Sequence, residues 1–193
     1  MKKMTKREIF SVPNIMSYFR ILLIPVFCVL YVNAETAADF LWAGAVVLIS
    51  SLTDMFDGMV ARKFNQITEL GKVLDPVADK LSHAALAVCL AIRHPLMWAL
   101  IALMAIKEGY MAIMGIYFLR RGRMLDGAMW YGKVCTASLF VGLLVLFLFP
   151  GIPEVWVNTI IIVLMVIMAA ALIMYIPQFA KMRRGEAGIE VGK

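Results

Sequence analysis

The sequence predicts an all-α integral membrane protein with six transmembrane helices. Both termini are expected in the cytoplasm, behind an N-terminal juxtamembrane amphipathic segment. Three observations carry this. Hydrophobic residues make up 63% of the chain and charged residues 17%, against roughly 45–50% and about 25% in soluble domains. With a mean hydropathy of +0.86, that excludes a disordered chain, a collagen-like chain and an ordinary cytosolic enzyme. Next, a helical span needs about 20 predominantly apolar residues. Six stretches meet this, at 15–32, 40–60, 73–92, 96–119, 131–149 and 155–176. Finally, cations alternate with their absence along the connections, as the positive-inside rule requires.

The connections justify each element in turn. Residues 1–13 form the juxtamembrane segment, with Lys2, Lys3, Lys6 and Arg7 toward phosphates and Ile9, Phe10 and Val12 toward the interface. A cleavable signal peptide is disfavoured, because the basic start is long and Arg20 follows it. After span 1, residues 33–39 hold Glu35 and Asp39 and no cation. Spans 2 and 3 are joined through Arg62, Lys63 and Lys72. A short turn, Arg93-His94-Pro95, joins spans 3 and 4, and Arg93 stands against the alternation. Arg120, Arg121 and Arg123 follow span 4, and residues 150–154 after span 5 lack a cation. Lys181, Arg183 and Arg184 follow span 6, and 185–193 is expected to be a mobile tail of a single membrane domain, 1–193. The net charge of +6 therefore reads as basic loops facing anionic lipid, not as nucleic-acid binding. Cys28, Cys89 and Cys135 sit in apolar runs and read as small packed residues. Trp42, Trp98, Trp130 and Trp156 fall near span ends, where indole rings anchor at the interface.

Ionisable groups inside spans need a reason, since each costs roughly 2.5–3.5 kcal/mol to insert. Span 2 ends with Asp54 and Asp57, three apart; span 3 begins with Asp75 and Asp79, four apart. On helices each pair shares a face. A short loop makes the two spans antiparallel neighbours, so four carboxylates converge on one small volume near the membrane surface. Four anions there repel, and divalent cations reverse that. All-oxygen ligands suit magnesium, manganese or calcium. Room for two ions would suit a clamp on a diphosphate. Gly58, Ala61 and Gly71 leave space for a ligand to come close, and Arg62 suits a phosphate. The competing reading makes each carboxylate a structural partner of Arg62, Lys63, Lys72 or Lys80. It explains one aspartate more easily than four at these spacings. A divalent-cation transporter would need polar groups near the bilayer midplane in several spans. Here the carboxylates gather toward one face, and spans 5 and 6 are almost wholly apolar.

The string D-x2-D-G-x2-A-R-x8-G-x3-D-x3-D, formed by Asp54, Asp57, Gly58, Ala61, Arg62, Gly71, Asp75 and Asp79, resembles the signature of the CDP-alcohol phosphatidyltransferases without departure. The resemblance implies a six-helix enzyme, commonly a homodimer, that displaces CMP from a CDP-linked lipid with an alcohol. It implies Mg2+ or Mn2+, two ions, held by Asp54, Asp57, Asp75 and Asp79. Asp79 matches the general base that takes the acceptor proton. Gly58, Ala61, Arg62, Gly71 and Asn14 are expected around the nucleotide and its diphosphate. The site would face the cytoplasm from the inner or plasma membrane.

Val12-Pro13-Asn14-Ile15 followed by Arg20, and Leu74-Asp75-Pro76-Val77-Ala78-Asp79-Lys80, resemble bacterial phosphatidylglycerophosphate synthases. That implies CDP-diacylglycerol as donor and sn-glycerol 3-phosphate as acceptor. A dianionic acceptor needs cations, and Arg20, Lys107, Arg120 and Lys133 are the candidates. Cardiolipin synthases of the same fold also carry a D-P-x-A-D-K stretch and use phosphatidylglycerol instead. Synthases with the first acceptor often have Arg-Glu in span 4, where this chain has Lys107-Glu108. Adjacent residues do not share a helix face, so Lys107 and Glu108 are expected to have different partners. Pro76 is expected in the first turn of its helix, where proline is tolerated.

Overall fold

The computed structural model describes residues 11–63, 70–124, 127, 129–184 and 188–190. Within these, the side chains of residues 12, 13, 54–63, 72, 73, 124, 189 and 190 are outside the description. Most of the juxtamembrane segment, Ile9 and Phe10 included, therefore lies outside the described residues.

Six helices carry the described chain: α1 (Val12–Val32), α2 (Ala37–Lys63), α3 (Gly71–Ala91), α4 (Met97–Leu119), α5 (Trp130–Leu148) and α6 (Glu154–Arg184). A two-residue ladder pairs β1 (Arg123–Met124) with β2 (Ile189–Glu190). Every expected span is a helix. Among the described residues, four helices are long and apolar enough to cross a membrane: α1 over Asn14–Val32, α4, α5 and α6. In α2 the described residues give an apolar stretch over Ala37–Thr53, and α3 carries Lys72, Asp75, Asp79 and Lys80. Trp42, Trp98, Trp130 and Trp156 are all exposed near the N-terminal ends of their helices, as interface anchoring requires.

The chain divides into two compact units. The first contains α1, α2 and α3 together with Phe147–Pro150. Thr36 and Asp39 close the start of α2 reciprocally: the Thr36 N–H donates to Asp39 Oδ2 (2.8 Å) and the Asp39 N–H to Thr36 Oγ1 (3.3 Å). The Thr36 N–H, with the Thr36 hydroxyl and Glu35 N–H, holds the Asp39 carboxyl below its ordinary range. α1 packs on both α2 and α3. It runs parallel to α3, because partners keep nearly one sequence offset along both helices. The offset is 58 for Ser17 with Asp75, 59 for Arg20 with Asp79, and 59 for Ala34 with Arg93 at the other end. Between these rungs the Cys28 and Cys89 thiols meet.

Arg93 explains its own exception to the charge pattern. Its Nη2 donates to the Ala34 carbonyl at 2.9 Å. Its guanidinium lies 4.8 Å from the Phe40 ring centre and 5.7 Å from that of Tyr31, a cation–π arrangement. Tyr31 in turn stacks on Phe147 at 4.3 Å. The charge serves packing in this unit.

The second unit contains α4, most of α5, and α6. Aromatic contacts join the three. Phe118 of α4 stacks on Phe179 of α6 at 5.8 Å, and Tyr131 of α5 meets Tyr175 of α6 edge-on at 4.7 Å. α6 runs past the expected end at 176, through Pro177, to Arg184. Proline withholds the donor for the Ile173 carbonyl, and the Tyr131 hydroxyl donates to the next one, Met174 O, at 3.3 Å. Lys181, Arg183 and Arg184 occupy the last turn, where cations favour the carbonyl end of the helix. In the tail, residues 189–190 pair with β1 in the register Arg123↔Glu190 and Met124↔Ile189. Arg123 also donates to Met182 O at 2.8 Å. Backbone pairing of this kind leaves no mark in composition.

Close approach of α5 to α6 depends on Gly132, where an added Cβ would overlap the buried Tyr175 hydroxyl. Gly115 faces open space. Gly132→Ala should lower the melting temperature in detergent, whereas Gly115→Ala should leave it unchanged or raise it, since Gly in a helix costs roughly 0.5–1 kcal/mol relative to Ala. Equal shifts would contradict the contact.

Candidate active site

The polar residues of α1 fall at one spacing. Asn14, Ser17 and Arg20 recur every third position in an otherwise apolar helix, and helix geometry places them along one stripe. All three are buried, at 0%, 0% and 2% exposure. This stripe meets α3. The Ser17 hydroxyl donates to Asp75 Oδ1. Arg20 Nη1 donates to Asp79 Oδ1 at 2.6 Å, a charge-assisted bond within an ion pair. Two carboxylates one turn apart are thus held by two donors about one turn apart on the neighbouring helix.

The competing reading of the carboxylates pointed to Arg62, Lys63, Lys72 or Lys80, and Asp79 pairs with a cation outside that set, Arg20 of α1. Ser17 is the residue sequence reasoning missed. Its signal is the three-residue spacing with Asn14 and Arg20.

The other expected site residues stand as follows. Gly71 is buried and opens α3. Pro76 lies inside α3, past the first turn where it was expected, because the helix already begins at Gly71. It has no N–H for the Lys72 carbonyl, one turn before Asp75. Asp54, Asp57, Gly58, Ala61 and Arg62 belong to the helical backbone of α2, and their side chains lie outside the described residues. Among the described residues no group of three or more His, Cys, Asp or Glu is arranged to hold a metal. The donor chemistry of Asp75 and Asp79 nonetheless fits a hard divalent cation. Both are carboxylates, they lie one turn apart, and each uses only Oδ1 in its bond to α1.

Lys107, Arg120 and Lys133 lie in the second unit. Arg120 is exposed at the end of α4, in a shallow hollow with Ile113, Ile116, Tyr117 and Arg121. Arg121 lies over the Tyr117 ring at 4.4 Å. Lys133 is exposed near the start of α5. Lys107 is buried in α4 and donates to Glu108 Oε1 at 2.7 Å. The expectation of different partners for these two is corrected. Neighbours on a helix point about 100° apart, and two long side chains can close that angle.

The whole chain can now be placed. Residues 10–177 match the CDP-alcohol phosphatidyltransferase family. The protein belongs to that family. Among its relatives, a Shigella flexneri protein is 31% identical over 181 residues, covering 92% of this chain and 97% of that one. A Salmonella typhimurium protein is 32% identical over 185 residues, with the same coverage. An Escherichia coli K12 protein is 33% identical over 153 residues, covering 77% and 81%. Each of the three is named CDP-diacylglycerol–glycerol-3-phosphate 3-phosphatidyltransferase. Family membership favours group transfer over an ion pathway for this chain.

The Lys107–Glu108 pair gives a direct test of the second unit. Glu108→Leu alone strands a buried ammonium and should destabilise the protein in detergent by a few kcal/mol at most, discounted for the partial exposure of Glu108. Lys107→Met combined with Glu108→Leu should recover most of that loss. A double variant as unstable as the sum of the two single ones would show that the pair is not coupled.

Proposed function

We propose that the protein transfers the phosphatidyl group of CDP-diacylglycerol to sn-glycerol 3-phosphate, giving phosphatidylglycerophosphate and CMP. The observation that carries this is the unbroken eight-residue signature in a chain of this family, whose Asp75 and Asp79 are presented side by side by α1. The printed names of the relatives support the choice of donor and acceptor.

Asp79 acts as general base. Its carboxylate takes the proton of the acceptor hydroxyl as that oxygen bonds to the diacylglycerol-linked phosphorus, and the bond from phosphorus to the bridging oxygen of CMP breaks. Asp54, Asp57, Asp75 and Asp79 would hold Mg2+ or Mn2+, which supplies charge neutralisation of the diphosphate. Gly58, Ala61, Gly71 and Asn14 shape the nucleotide side, and Arg62 binds phosphate as a fork. Lys107, Arg120 and Lys133 are the cations offered to the acceptor phosphate. The donor's acyl chains stay in lipid while its head group reaches the site. All six helices cross the inner membrane, with both termini and the site at the cytoplasmic face, and two chains form a homodimer.

The test is CMP release from CDP-diacylglycerol by purified protein with magnesium, glycerol 3-phosphate or phosphatidylglycerol being supplied in parallel. Release with glycerol 3-phosphate alone, yielding phosphatidylglycerophosphate, is expected. Release with phosphatidylglycerol alone, yielding cardiolipin, would overturn the acceptor and keep the chemistry. Chelation should abolish turnover, and magnesium should restore it. Asp79→Asn should lower kcat by about 10²–10⁴-fold, the usual contribution of a general base, with binding of the CDP-lipid little changed. A near-normal rate in that variant would remove Asp79 from the role of base.

A further inference from the structure

Arg20 was offered by the sequence as a ligand for the acceptor phosphate. Its place in the structure points elsewhere. The Arg20 side chain is 3% exposed, while the carboxylate it bonds is 46% exposed. The cation is the enclosed partner and the anion the open one. A guanidinium whose purpose is to capture a soluble dianion is better placed the other way round. A guanidinium that fixes a carboxylate for another molecule belongs where this one is, behind it. Ser17, one turn earlier on the same stripe, treats Asp75 alike, again through Oδ1.

We infer that Arg20 is a positioning residue for Asp79, holding the carboxylate by Oδ1 from behind so that Oδ2 is presented to the acceptor hydroxyl, with Ser17 orienting Asp75 in the same way. The inference rests on the proposed role of Asp79 as base. Arg's planar fork fixes the direction of a carboxylate in a way that a point charge does not. Positioning errors on the order of 1 Å cost about 10²-fold in rate, so loss of the clamp is felt in the chemical step.

The experiment compares wild type, Arg20→Ala and Arg20→Lys in the CMP-release assay, with glycerol 3-phosphate varied. Wild-type turnover first establishes the reaction itself, so failure there is a failure of the proposed function and not of this inference. Arg20→Ala should lower kcat by about 10²-fold, with KM for glycerol 3-phosphate within about threefold of wild type. Arg20→Lys should restore part of kcat. Equilibrium binding of radiolabelled glycerol 3-phosphate to protein preloaded with CMP and magnesium gives a readout apart from turnover. Adding Arg20→Ala to Asp79→Asn should leave that affinity within about twofold, because a residue acting through Asp79 has nothing left to position. A tenfold loss of affinity, or a tenfold rise in KM with kcat preserved, would return Arg20 to the acceptor phosphate and overturn the inference. If Arg20→Ala fails to fold, Arg20→Lys carries the same comparison, with KM unchanged and kcat reduced as the expected outcome.

Discussion

An aspartate in an apolar helix is stable only where something meets its charge. In α3 that something is α1. The Arg20–Asp79 ion pair and the Ser17–Asp75 hydrogen bond set which face of α3 turns toward α1. Because the same sequence offset recurs at Arg93 and Ala34, the polar end of the helix pair and its aromatic end are in one register. The two ends do different work. At one, a half-open carboxylate faces outward from an enclosed guanidinium. At the other, Arg93 is spent on a carbonyl and two rings.

Among the described residues, α1 over Asn14–Val32, α4, α5 and α6 are long and apolar enough to cross a membrane. The cations buried within α1 and α4 keep carboxylate partners, Arg20 with Asp79 and Lys107 with Glu108. A charge removed from water is tolerated when its partner comes with it.

Much of the fold was legible because helical spans are a matter of length and apolarity, both local properties. The six helices follow, and the signature reveals the family within 26 positions. Pairings across the chain were not legible in the same way. Nothing in the composition of span 1 says that Arg20 meets Asp79, 59 residues on. The stripe of Asn14, Ser17 and Arg20 was the available sign, and Ser17 passed as one more small residue in a helix. The Lys107–Glu108 bond was misjudged because face arguments treat side chains as fixed spokes, which long ones are not. The continuation of α6 through Pro177 to Arg184 carries polar residues that an apolar count leaves out, and the hydroxyl on the Met174 carbonyl comes from Tyr131 of another helix. The ladder between Arg123–Met124 and Ile189–Glu190 is backbone pairing between segments with no strand pattern.

The central claim is that α1 and α3 are coupled through the Arg20–Asp79 pair. A double-mutant cycle on unfolding in detergent, using Arg20→Met, Asp79→Leu and the double variant, measures that coupling without reference to activity. The account predicts an interaction energy of about 1 kcal/mol, above the threshold at which contacting residues depart from additivity. Effects that add within about 0.3–0.5 kcal/mol, as for independent sites, would contradict it.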